Sequence, residues 1–112
     1  MPRNWKQFLN DMLEAANRAI EFSEGRSGAQ LIHDKRSLAA ITHEIQIIGE
    51  AGKRIPSQVT RIASDIPWKQ ICGMRDMLVH EYFNTREGLI IDVFLHELPK
   101  LISQLQALKV TI

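Results

Sequence analysis

Residues 91 to 112 read Ile91-Asp-Val-Phe94-Leu-His-Glu-Leu98-Pro99-Lys-Leu101-Ile-Ser-Gln-Leu105-Gln-Ala-Leu108-Lys-Val-Thr-Ile112. Ile91, Phe94, Leu98, Leu101, Leu105, Leu108 and Ile112 recur at alternating steps of three and four. This is the repeat that paints one face of an α-helix, whereas a half-buried strand alternates every second residue. The stretch therefore predicts a long helix with an apolar seam. Only Pro99 interrupts it, and a proline inside a helix donates no amide hydrogen bond and should kink it. Asn84 or Thr85 is the expected cap, Asn84 with Glu87 having the spacing of a capping box.

The same period runs outward through the chain. Trp5, Phe8, Leu9, Met12, Leu13, Ala16 and Ile20 predict a first helix from about Arg3 to Glu24, closed by Gly25 and Gly28. Leu38, Ile41, Ile45 and Ile48 predict a second, starting at Gln30 or Asp34 and running to Arg54, where Ile55-Pro56 stops it. Gly49 and Gly52 lie on or beside that stripe, where the lack of a side chain lets a neighbouring helix approach. Ser57 to Ala63 reads as a short helical turn. Pro67 suits the first turn of a helix over Trp68 to Phe83, since its missing N–H would have no partner there. Four main helices with short connections predict an all-α fold, an antiparallel four-to-five-helix bundle forming one domain over residues 1–112.

Composition narrows the function. With 112 residues, 45% hydrophobic and 24% charged, and a net charge of +1, the chain is globular rather than disordered. Its core is modest for its surface, and a dimer interface would support it. The lone Cys72 excludes an internal disulfide and a cysteine zinc site, which fits a reducing cytoplasm. No apolar run approaches the roughly 20 residues of a membrane span, and the N-terminus lacks the pattern of an export signal. Residues 52 to 86 carry Lys53, Arg54, Arg61, Lys69, Arg75 and Arg86 against Asp65, Asp76 and Glu81. Any phosphate-attracting surface is expected there.

Residues 75 to 82, Arg-Asp-Met-Leu-Val-His-Glu-Tyr, conflict with simple packing. On a wheel with Ile71 at zero, Arg75 and Tyr82 fall at about 40° and 20°, inside the apolar arc. Arginine cannot shed its charge, so Arg75 must reach an acidic partner, an interface or water. Asp34, in line with Ile41 and Ile45 on the second helix, is one candidate partner. His80 falls on the opposite face with Asp76 one turn earlier, a spacing that can fix an imidazole for acid–base work. Arg75 and His80 lie about 140° apart, too far for one straight helix to aim both at a small target. A symmetry-related copy of the helix would supply the missing half of a site. The bland readings are a structural Arg75–Asp34 pair and an exposed histidine beside a carboxylate. His43 with Glu44 reads as a surface pair.

The string Arg75-x-x-x-x-His80-x-Tyr82 resembles the signature of the HEPN superfamily of helical ribonucleases. More narrowly, Ile66-Pro67-Trp68, Ile71-Cys72-Gly73-Met74-Arg75-Asp76, Leu78-Val79-His80-Glu81-Tyr82-Phe83 and Ile48-Gly49-Glu50-Ala51 resemble the HepT toxins of prokaryotes. The resemblance implies a helical homodimer that cuts RNA without metal or other cofactor. Arg75 and His80 of both subunits would gather in a cleft at the interface, supported by Asp76 and Tyr82. It also implies a minimal nucleotidyltransferase antitoxin as partner, which silences the toxin by transferring AMP to Tyr82. Either the dimer alone or a larger hetero-oligomer with the antitoxin fits. The stretch Thr42-His43-Glu44-Ile45-Gln46 is less basic than the family leads one to expect.

Two other readings remain open from the residues. A non-catalytic HEPN module could dimerise and present Tyr82 or a groove to a nucleotidyltransferase. A purely structural reading makes Arg75 and Asp34 core electrostatics and the seam over 91–112 the whole reason for dimerisation. Trp5 and Trp68 read as packing or capping groups, and Met12, Met74 and Met77 as core filler.

Overall fold

The computed structural model describes residues 4–81 and 87–111, and the described regular structure is helical throughout. The elements are α1 (Trp5–Ser23), α2 (Gly28–Leu31), α3 (Lys35–Gly52), α4 (Ser57–Ile62), α5 (Trp68–Glu81) and α6 (Glu87–Thr111). The expected long helices are present, and α4 is the expected short turn. The proposed caps Asn84 and Thr85, and Tyr82 and Phe83, lie outside the described residues.

Local chemistry sets the boundaries. Asn4 Oδ1 accepts from the backbone amides of Lys6 and Gln7, and the Gln7 side chain accepts from the Asn4 amide, a reciprocal capping box. At the far end Glu24 and Gly25 both take left-handed backbone angles, φ 51° and 72°. Glycine, which has no Cβ, does so without steric cost. Gly28 does not close this helix; it opens α2. Ser27 caps α2 in a second capping box with Gln30, and the Asp92 carboxylate of α6 accepts from the Gly28 amide. Of the two starts expected for the second helix, Asp34 agrees with the structure as N-cap of α3, while Gln30 falls in the separate α2.

α3 packs against α1 on one side and α5 on another, while α6 closes the bundle against α1 and α2. Leu9, Met12, Ala16 and Ala19 of α1 are buried against Ile41, Ile45 and Ile48 of α3 and Leu98 and Leu105 of α6. Each fully buried side chain of this size contributes about 1.5–3 kcal/mol from the loss of hydrated apolar surface. α6 continues through Pro99 as one element. Its seam of Ile91, Phe94, Leu98, Leu101, Leu105 and Leu108 is buried within the protomer. This corrects the reading of that seam as a dimerisation face: the seam is filled by the chain's own α1 and α2.

α5 starts close beside the end of α3. A Cβ added at Gly52 would stand 3.2 Å from Cys72 Sγ and 3.5 Å from Met12 Cε, so Gly52 permits the close approach expected of the small residues on α3. The Trp68 indole N–H donates to the Ala63 carbonyl at 3.0 Å, closing the last turn of α4. The Pro67 carbonyl accepts from the Ile71 amide at 3.0 Å and begins α5. With near ends together and α5 packing back along α3, the two helices run antiparallel.

Candidate functional site

α5 carries Arg75, Asp76 and His80 on one continuous helix. Five residues separate Arg75 from His80, so their Cα atoms stand about 7.5 Å apart along the axis and about 140° apart around it. A single copy of this helix therefore presents them to different directions. The convergence expected of their side chains, the Asp76–His80 contact and the role of Tyr82 all lie outside the described residues. Asp76 itself is exposed.

Asp34 is placed differently from the sequence reading. It is the N-cap of α3, its side chain 40% exposed, and its partner is Arg26, whose guanidinium donates to Asp34 Oδ2 at 2.7 Å. The same guanidinium donates to Ser37 Oγ at 2.7 Å and to the carbonyls of Ser23 and Phe22. One arginine thereby ties the end of α1 to the start of α3. The wheel placed Asp34 on the apolar stripe by counting it as a helical residue; it stands one residue before the first turn of α3, as its cap, with its carboxylate partly exposed.

The Arg26 guanidinium, together with the Ser37 hydroxyl and amide, holds the Asp34 carboxyl down at about 2, from an ordinary 3.8. Folding then favours the ionised carboxylate. That contribution is complete above about pH 4 and is lost as the pH falls toward 2. Asn is as good an N-cap as Asp but carries no charge. The deficit of Asp34→Asn against the parent, read from urea midpoints, should be constant from about pH 7 to 5 and shrink toward pH 2. A deficit that did not shrink would assign the effect to hydrogen bonding alone.

Glu44 overturns the surface-pair reading. Its residue is 3% exposed, and Arg18 Nε of α1 donates to Glu44 Oε2 at 2.7 Å. Position 44 lies three residues after Ile41 and four before Ile48, so it shares their buried face, while His43 is exposed. The signal was available in the spacing. Cys72 is half-buried, and burial pushes its thiol pKa up, opposed by the nearby charge of Lys53. A thiol held neutral is a poor nucleophile.

A second feature was not foreseen. An open groove of about 530 Å³ runs along α3, lined by Lys35, Thr42, His43 and Gln46 over Ile32 and Leu38. The Thr42 hydroxyl is buried there without a hydrogen-bond partner. Among the described residues no group of three or more His, Cys, Asp or Glu is arranged to hold a metal ion. No helix among them is long and apolar enough to cross a membrane.

Comparison with known proteins bears on this arrangement. The family model described as "Ribonuclease HepT-like" matches residues 12–108. A "Putative RNase" of Caldanaerobacter subterraneus subsp. tengcongensis is 35% identical over 101 residues, covering 90% of each chain. A "Probable ribonuclease HepT" of Thermococcus cleftensis is 31% identical over 109 residues, 97% of this chain and 99% of its own. A "Putative RNase" of Methanocaldococcus jannaschii is 33% identical over 99 residues, 88% of this chain and 91% of its own. No solved structure matches the chain.

Proposed function

Because this chain belongs to the HepT-like ribonuclease family, we propose that it is the toxin of a toxin–antitoxin pair. In this reading it is a single-domain endoribonuclease that cuts RNA in the cytoplasm without a metal, as a homodimer with its site at the subunit boundary. The observation that carries the proposal is the family match over residues 12–108, which contains the whole of Arg75-Asp-Met-Leu-Val-His80-Glu-Tyr82.

The chemistry needs little apparatus. The 2′-hydroxyl of RNA attacks its own 3′-phosphate; the bond to the 5′-oxygen of the next nucleotide breaks, leaving a 2′,3′-cyclic phosphate and a 5′-hydroxyl. His80 takes the hydroxyl proton or returns one to the departing oxygen, and the second copy across the twofold supplies the opposite transfer. Arg75 stabilises the added negative charge on the phosphorane through its fork of donors. Asp76 orients His80. Tyr82 contacts the phosphate or sugar and is where a minimal nucleotidyltransferase antitoxin attaches AMP, blocking the cleft. The 140° divergence of Arg75 and His80 on one helix supports a site completed by a second subunit.

The test uses the purified chain. Unmodified protein incubated with structured and unstructured RNA in EDTA should yield fragments ending in cyclic phosphate. Incubation with the partner nucleotidyltransferase and ATP should add mass in multiples of AMP, absent from Tyr82→Phe, and suppress cleavage. Protein that accepts AMP but cuts no RNA would overturn the nuclease reading and leave a non-catalytic binding module in its place.

A further inference from the structure

The stretch Thr42-His43-Glu44-Ile45-Gln46 holds no Lys or Arg, and the catalytic motif does not use it. Glu44 is accounted for by Arg18. The other polar residues of the stretch, with Lys35 about two turns before Thr42 on the same face, line the groove on α3.

We infer that this groove is a subsite for one nucleotide of a single-stranded RNA beside the cleaved phosphate, an inference that rests on the ribonuclease reading above.

Three observations carry it. First, the position: Gly52 stands opposite Cys72 where the antiparallel helices α3 and α5 meet. Six residues back along α3 is Gln46, and six forward along α5 is Leu78, about 9 Å along either axis. The Thr42–Gln46 turn is therefore level with the end of α5 that carries His80.

Second, the polar side chains along the groove suit a nucleotide, set beside the apolar Ile32, Leu38 and Ala39. His43 is an exposed flat ring, suited to stacking on a base. The Gln46 amide offers both donor and acceptor to a base edge. Lys35 is an exposed cation at the far end, placed for the neighbouring phosphate. A volume of about 530 Å³ falls within the range of small-ligand sites.

Third, the Thr42 hydroxyl is buried without a partner. A buried hydroxyl left unsatisfied costs stability in the free protein, and Thr42 lines the groove, where a ligand could satisfy it.

Thr42→Val separates this role from a structural one. Valine has nearly the same shape without the hydroxyl, so the melting temperature should hold or rise while RNA affinity falls. His43→Ala with Gln46→Ala should weaken binding of a fluorescein-labelled single-stranded RNA roughly 10-fold, about 1.4 kcal/mol. Binding is read by anisotropy in a His80→Ala background so that the strand stays whole. With His80 present, the same pair should raise KM, leave kcat nearly unchanged and relax the preference for the base beside the cut.

Parent protein that binds RNA without cutting it overturns the ribonuclease reading but still lets the groove be judged from affinity. If the groove variants bind and cut like the parent, the subsite is overturned. If they keep RNA affinity but lose the oligomeric state on size-exclusion chromatography, the groove is a contact between protein chains and the subsite is equally overturned.

Discussion

His80→Ala is expected to lower RNA cleavage by about 10²- to 10⁴-fold, the usual contribution of one positioned proton-transfer group. The growth arrest caused by expressing the parent should disappear with it. The variant should remain fully helical by circular dichroism, because position 80 lies within α5 and alanine is the strongest helix former. An imidazole titrates near pH 6.5 in isolation, so the parent's cleavage rate should turn over near neutrality. In the variant that feature should be missing from whatever rate remains. A His80→Ala protein that cuts as fast as the parent would remove the acid–base group from the mechanism and with it the assignment of the motif. Mixing His80→Ala chains with Arg75→Ala chains adds a further check: if one site draws on both subunits, the mixed dimer should recover part of the activity.

Arg18→Met is expected to lower stability substantially without touching the motif. The Glu44 carboxylate sits on the face of α3 that holds Ile41, Ile45 and Ile48, and Arg18 is its charged partner. Removing one member of a fully buried pair costs about 3–5 kcal/mol because the other charge is stranded. Here the Arg18 side chain is 40% exposed, so water can reach the vacated end, and the expected loss is about 2–3 kcal/mol. For a chain of this size that lowers the melting temperature by roughly 10 °C. Adding Glu44→Leu should recover most of it, since the apolar replacement removes the stranded charge. A shift of only a degree or two for Arg18→Met would mean that the pair behaves as an ordinary surface contact.

The two predictions differ in how legible their residues were. His80 is singled out by a short linear string, since Arg75, Asp76 and His80 lie within two turns of one helix and their spacing is a property of the chain itself. Arg18 and Glu44 are 26 residues apart on different helices, and nothing in their local neighbourhoods says they meet. Even so, the burial of Glu44 followed from counting threes and fours between Ile41 and Ile48. Asp34 was misplaced by the same counting, because a wheel gives a cap the same angle it would have as a helical residue. The Ser27–Gln30 capping box would have shown the break.

Periodicity alone was sufficient for the helical class, the four long helices and the apolar seam of α6, because 3.6 residues per turn prints burial directly into the order of residues, and Pro67 marked the start of α5. Which surface covers each seam was beyond it. That α6 closes on α1 and α2, that Arg26 reaches Asp34, and that the turn from Thr42 to Gln46 is level with the motif helix all depend on helix–helix packing. Such contacts join residues far apart along the chain, and many partners satisfy the same pattern until shape and charge select one.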